Sequence, residues 1–192
     1  KVPATYDPAT GTLTPTTPLL DGAHQLSYSL TDTAGNESPA SAPLSLTVDT
    51  VAPAAPVISS YADNVGTSQP GAAASGTVTD DNTPTLKGTA ETNSTVSIYD
   101  GATLLGTTTA DASCNWTFTP AAALADGTYT VTAKATDAAG NTSPTSSAFA
   151  LTVDTAAPAA PVISSYADNV GTVQRTRILP NSEAPTIQIG LC

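Results

Sequence analysis

The stretch DTVAPAAPVISSYADNVGT, residues 49–67, returns at residues 154–172 with one change, Val51 giving way to Ala156. The offset of 105 residues holds beyond the stretch itself. Asp21-Gly22 pairs with Asp126-Gly127, TDTAGN at 31–36 with TDAAGN at 136–141, and LTVD at 46–49 with LTVD at 151–154. Without gaps, 32 of the 49 positions from Leu19 to Thr67 match those from Leu124 to Thr172. The chain is therefore a tandem array, with a period far above the roughly 20–50 residues of solenoid repeats.

Within one period, apolar residues alternate with Thr and Ser in short runs bounded by Gly, Pro, Asp and Asn, the pattern of half-buried strands. The alternation predicts strand A at 56–62, B at 83–89, C at 95–99, D at 103–109, E at 116–119, F at 128–136 and G at 148–153. Asp100-Gly101 is a hairpin turn, and Asp126-Gly127 a turn into F. Seven strands in about 100 residues fit an immunoglobulin-like two-sheet sandwich. The fold expected is all-β, with almost no helix: tandem seven-strand sandwiches, one complete and two partial. Residues 1–51 form the carboxyl part of a first repeat, roughly strands E, F and G. Residues 52–155 are complete. Residues 156–192 are the amino part of a third, with a divergent tail at 173–192. The array reads as a segment of a longer one. The expected core comprises Val57, Leu86, Val96, Ile98, Leu104, Trp116, Phe118, Tyr129, Val131, Ala133, Phe149, Leu151 and Val153.

Composition narrows the function. Sixteen acidic residues face five basic ones among 192, a net charge of −11. Nucleic-acid binding needs a basic footprint, and anionic lipid repels such a chain, so neither partner is expected. No apolar run reaches the roughly 20 residues of a spanning helix. There is one His, His24, and two Cys, Cys114 and Cys192. Any Ser-His-Asp or Cys-His site would have to use His24, which sits where Tyr129 sits one repeat on and reads as a packing or surface residue. No nucleophile, base and oxyanion donors converge in the pattern, so no enzyme is expected. A disulfide between Cys114 and Cys192 has no support in the spacing.

The run GTAE (88–91), TVSIYDG (95–101), TADASCNWTF (109–118), LADGTY (124–129), ATDAAGN (135–141) and LTVD (151–154) resembles the bacterial immunoglobulin-like repeats of giant surface adhesins. The resemblance covers about residues 5–172. It implies a long stalk on the bacterial cell surface, exported by type I secretion, with many copies of the repeat and a binding domain elsewhere at the tip. It implies calcium at the junctions between repeats. It also implies Gly at the position Cys114 occupies.

Strand order supports the junction site. Consecutive strands of a sandwich run in opposite directions. The end of G in one repeat then meets the B–C, D–E and F–G loops of the next. That brings Asp49 toward Glu91 and Asp137, with Asn141 and Asp111 as further ligands, and Asp154 serves the following junction. Calcium takes six to eight hard oxygens, and clustered carboxylates without an ion would repel. The same residues also serve as ordinary turn and cap formers. Asp63, Asp80, Asp81 and Asp168, at the opposite end, read as loop chemistry.

The linker Val51–Pro56 carries two prolines, which fix φ and remove donors, so it is extended and stiff. The expected function is a calcium-stiffened spacer of an extracellular adhesin or biofilm protein, its partners being neighbouring repeats. A second reading is a module that binds glycan or ice through Thr rows such as Thr107–Thr109, although such rows also suit any solvated strand. The two partial repeats leave open strand edges, which predicts head-to-tail association of one molecule's end with the next one's start.

Overall fold

A computed structural model describes residues 2–66 and 72–162. Its contacts divide the chain into residues 1–156 and 157–192. The divergent tail at 173–192, Cys192 included, lies outside the described residues.

Every described element is a strand. Four precede the linker: β1 (Ala4–Asp7), β2 (Thr12–Pro15), β3 (Gly22–Leu26) and β4 (Leu44–Val48). They form two antiparallel ribbons, β1 with β2 and β3 with β4. Eight follow the linker: β5 (Val57–Ala62), β6 (Val78–Thr79), β7 (Thr85–Thr89), β8 (Thr95–Asp100), β9 (Thr103–Thr109), β10 (Asn115–Phe118), β11 (Gly127–Thr136) and β12 (Phe149–Val153). One sheet has the order β10-β7-β5, the other β6-β12-β11-β8-β9.

The seven predicted strands of the complete repeat are present within two residues of their expected ends. The eighth, β6, was not anticipated. It is two residues long and pairs parallel to β12, Thr152 with Val78 and Val153 with Thr79. Two residues are too few for an alternation to register.

The two sheets face each other across one core. Tyr61, Leu86, Trp116 and Phe118 come from the first sheet; Val96, Ile98, Val131, Ala133, Phe149, Leu151 and Val153 come from the second. The Tyr61 and Phe149 rings meet edge to face, centroids 6.3 Å apart. Trp116 occupies the space above Gly88, its Cα partner on β7. A Cβ on Gly88 would lie 2.4 Å from Trp116 Cζ2 and 2.0 Å from the Val57 carbonyl oxygen. Large and small residues thus interlock across one ladder. Trp116 Nε1 is buried without a partner, the only such side-chain atom among the described residues, so shape rather than hydrogen bonding fixes this ring.

Two expected core residues are outside it. Val57 is 55% exposed and Leu104 53%. Val57 opens its strand, and β5 has a register shift between Ile58 and Ser60, so Ile58 and Tyr61 turn inward in its place. Leu104 lies at the turn end of edge strand β9, next to another register shift, and Leu105 packs on the core instead. Tyr129 only borders the core, because its hydroxyl donates to the Ala125 carbonyl at 2.7 Å. This is the tyrosine corner of immunoglobulin-like sandwiches. His24 does the same one repeat earlier, with Nε2 2.7 Å from the Leu20 carbonyl. The single histidine is thereby accounted for as a corner residue.

Candidate functional site

The linker and the loops beside it hold most of the predicted site residues. Where β4 ends, the Thr50 N–H and hydroxyl both donate to Asp21 Oδ1, at 3.1 and 2.9 Å. Asp49 Oδ1 accepts from Val51 N–H at 3.0 Å. The same clamp recurs after β12: Thr155 donates to Asp126 Oδ1 through N–H (3.1 Å) and hydroxyl (2.8 Å), and Ala156 N–H donates to Asp154 Oδ1 at 3.1 Å. Asp-Gly before one strand and Asp-Thr after the next therefore fix the exit direction of the chain. The linker after the first clamp is packed rather than loose, since Pro53 and Pro56 are buried, whereas Pro158 and Pro161 after the second are exposed.

The loop between β11 and β12 meets this linker. Asp137 Oδ1 accepts from Ala139 N–H and Asn141 N–H, both at 2.9 Å. Asn141 Nδ2 donates to Asp137 Oδ2 at 2.9 Å. The same nitrogen donates to the Asp49 carbonyl oxygen at 3.0 Å, across 92 positions of sequence. The Asn141 amide, more than any other contact, holds the Asp137 carboxyl below the usual carboxylate range. Desolvation opposes this, and the N–H groups of Asn141, Ala139 and Gly140 add to it.

The other predicted ligands lie apart from this contact. Glu91 is exposed and sits in a turn whose carbonyl accepts from Ser94. Asp111 spends Oδ1 on Ser113 and Asn115 N–H groups, both at 2.8 Å, closing the β9–β10 turn. These two turns adjoin each other through Ala90 N–H to the Cys114 carbonyl (2.9 Å) and Asn93 N–H to the Ala110 carbonyl (3.0 Å). The structure thus joins Asp49, Asp137 and Asn141 in one contact and the Glu91 and Asp111 loops in another. Asp154 belongs to the far end.

For calcium, the donors at the first contact have the right chemistry. The Asp49 carbonyl oxygen and Asp137 Oδ2 are hard oxygens converging on one point, and the Asn141 amide nitrogen offers partial positive charge there. The fit stops short of a carboxylate cluster. Among the described residues no group of three or more His, Cys, Asp or Glu side chains is placed to hold a metal ion. Cys114 is free and exposed. Its φ of 66° lies in the left-handed region that glycine prefers, which explains why glycine suits this position in the repeats that this chain resembles.

At the opposite end, two of the carboxyls read from the sequence as loop residues are buried, which the sequence pattern does not show. Asp81 is fully buried and Asp63 nearly so. Asp81 Oδ1 accepts from Thr83 N–H at 2.8 Å, and Asp63 Oδ2 from the Thr79 hydroxyl at 2.7 Å. Both tie loops around β6, and loop chemistry is the role expected of them. A hollow of about 390 Å³ lies between β9 and β10 and includes Thr107, Thr108, Thr117, Thr119 and Phe118. Phe118 is only 8% exposed, so it offers no stacking face to a sugar. Among the described residues no helix is long and apolar enough to cross a membrane.

Residues 3–50 and 56–155 match a family described as the bacterial Ig-like domain. A solved structure titled "Biofilm associated protein - BSP domain" aligns over 76% of this chain with 21% identity and a TM-score of 0.39. This chain spans 21% of that one. No curated protein matches.

Proposed function

The chain belongs to the bacterial Ig-like domain family, and on that premise we propose that it is a spacer segment of an extracellular adhesin or biofilm protein at the bacterial surface. The family is structural, and the chain is not an enzyme. The observation that carries the spacer reading is the bond from Asn141 Nδ2 to the Asp49 carbonyl. It ties the β11–β12 loop of one repeat to the residue that ends the repeat before it. With the Asp21–Thr50 clamp and the buried prolines, it makes the linker a built joint. A joint of fixed geometry converts repeat number into reach, which is what a stalk requires.

Calcium belongs to the same proposal. The Asp49 carbonyl, the Asp137 carboxylate and the Asn141 amide oxygen, once the amide turns over, would hold it, with Glu91 and Asp111 as further candidates. Bound there, the ion would supply charge neutralisation and a stronger cross-link than the amide does. Asp154 would serve the next junction. A glycan- or ice-binding role gains little from the threonine-lined hollow, which lacks an exposed aromatic ring.

Small-angle scattering and thermal unfolding, with calcium and with chelator, test both parts. Asn141→Ala is expected to shorten and broaden the distance distribution while the Trp116-reported melting of the complete repeat stays within a few degrees. An unchanged distribution would remove the joint from the mechanism. A calcium-dependent rise in melting temperature that Asp137→Ala abolishes would support the ion. Identical curves in calcium and chelator would leave the amide as the joint's sole cross-link.

A further inference from the structure

Four triplets of the form Asn-x-Ser/Thr occur in the chain: Asn36-Glu-Ser38, Asn93-Ser-Thr95, Asn115-Trp-Thr117 and Asn141-Thr-Ser143. This is the acceptor pattern for transfer of a sugar to asparagine, a modification carried on surface loops of exported proteins. The amide nitrogen is the group that forms the new bond, so it has to be exposed and free of other acceptors. The hydroxyl two residues on has to be free to meet the transferase.

The structure separates the four. Asn36 Nδ2 is committed to Asp32 Oδ2 at 2.8 Å, and the Ser38 hydroxyl to the Pro39 carbonyl and the Leu30 N–H. Asn141 Nδ2 is committed to Asp137 and Asp49, and the Ser143 hydroxyl to the Pro144 carbonyl and the Ala135 N–H. Asn115, Trp116 and Thr117 lie along β10 in register with Thr89, Gly88 and Lys87, so gripping that triplet means drawing Trp116 out of the core.

Asn93 is different. It stands in the turn between β7 and β8, exposed, with φ 61°. Its backbone N–H bonds to the Ala110 carbonyl, while its side chain makes no hydrogen bond among the described residues. The Thr95 side chain, exposed at the start of β8, makes none either. A left-handed turn position accounts for the asparagine, but it places no demand on Thr95. Glu91, two residues before Asn93, is exposed as well. The other triplets have Ala34, Ser113 and Ala139 there. Its carboxylate gives a transferase a charge-assisted contact that the other three lack.

We infer that Asn93 is an N-glycosylation site, modified by a transferase that draws on a sugar activated by pyrophosphate. Asn93 Nδ2 attacks the anomeric carbon of that sugar. The C–N bond forms, the bond from the anomeric carbon to the pyrophosphate oxygen breaks, the pyrophosphate group leaves with the electron pair, and Nδ2 gives one proton to a base of the transferase. The sugar then covers the paired turns at 90–94 and 110–115 with bulky, solubilising polar surface.

Mass spectrometry of the chain isolated from the cells that naturally make it tests this. Cleavage before aspartate places the four asparagines on separate peptides, 32–48, 81–99, 111–125 and 137–153. Peptide 81–99 is expected to carry the mass of at least one sugar residue, and the other three to be unmodified. A single added hexose assigns a nucleotide sugar as donor, and a fixed oligosaccharide block assigns a lipid pyrophosphate. Variants made in the same cells locate the bond. Asn93→Gly keeps the left-handed turn and is expected to lose the sugar; Thr95→Ala is expected to lose it, and Thr95→Ser to retain it. Trp116 fluorescence is expected to show the same fold in each, because both side chains are exposed. An unmodified peptide 81–99 overturns the inference, as does added mass that survives Asn93→Gly or Thr95→Ala. Equal modification of 32–48 or 137–153 would overturn the requirement for a free amide and hydroxyl, and the assignment to Asn93 with it.

Discussion

Leu46 and Leu151 occupy the same place in two copies of one sequence motif, LTVD, yet one is 42% exposed and the other 1%. The local structure is the same in both. β3 pairs with β4 in the register in which β11 pairs with β12: Gly22 with Val48 and Gly127 with Val153. Both corners are tied to a carbonyl four residues upstream. The exit clamps also match, Asp21 with Thr50 and Asp126 with Thr155. Among the described residues, what differs is the second sheet, which covers β12 but not β4. Ribbon, corner and clamp are therefore local products of the sequence, while burial is a product of the complete sandwich.

The largest expected effect follows directly. Leu151→Ala is expected to destabilise the complete repeat by about 2–5 kcal/mol, the cost of a buried leucine cavity. Leu46→Ala is expected to change it by no more than about 0.5 kcal/mol, as for an exposed site. Denaturant unfolding followed by Trp116 fluorescence measures both. Equal effects would mean that the segment 4–48 is cooperative with the complete repeat, and the contrast between the two would be gone.

Gly88→Ala sharpens the contrast on the other sheet. Its Cβ would meet the Trp116 ring and the Val57 carbonyl below 2.5 Å, and backbone on one side leaves little room to yield. Overpacking of this kind costs about 1–3 kcal/mol, read from the same unfolding curves. A neutral result would mean that Trp116 is free to shift, and the interlock with Gly88 would not be fixing the ring.

Much of this was legible in the residues. Period, strand positions and most of the core followed from alternation and the 105-residue offset, because side-chain period and turn chemistry are local. Val57 and Leu104 were misplaced because alternation alone cannot see a register shift, and each strand has one. β6 and the burial of Asp63 and Asp81, whose loop role the sequence did indicate, escape it for a related reason: both depend on a loop folding over β12, which no short-range pattern encodes. At the junction, strand order placed Asp49 beside Asp137 and Asn141. It could not show that the contact uses the Asp49 carbonyl while the carboxylate turns to Val51.

The turn before β10 provides a smaller effect of opposite sign. In residues 7–11 the left-handed position is held by Gly11, with φ 68°; in residues 111–115 it is held by Cys114, with φ 66°. A side chain in this region costs roughly 1–2 kcal/mol. Cys114→Gly is expected to recover about 1 kcal/mol in the complete repeat, raising its melting temperature by several degrees. The side chain is exposed, so little packing is lost. A lower melting temperature would mean that the thiol makes a contact worth more than the strain.

The last comparison concerns two loops of almost one sequence. Asp32 and Asp137 are each capped by the asparagine four residues on, Asn36 and Asn141. In both, the asparagine side-chain amide is the main cause holding the carboxyl below its ordinary range. A carboxyl depressed in the folded state binds fewer protons there than in the unfolded chain. Its contribution is complete above the ordinary value of about 3.9 and is lost as pH falls through the lower, folded value. Both groups are surface-exposed, so the loss is expected to be visible in local titration rather than in global stability. Carbon-detected NMR should place both midpoints below the ordinary range, and Asn141→Ala should raise that of Asp137 while leaving Asp32 unmoved. Only Asn141 also reaches a neighbouring repeat. Acidification through the Asp137 midpoint is therefore expected to perturb the amide resonances of Thr50 and Val51, with no matching long-range change around Asp32. Perturbation at Thr50 and Val51 that tracks some other midpoint would detach the loop from the joint.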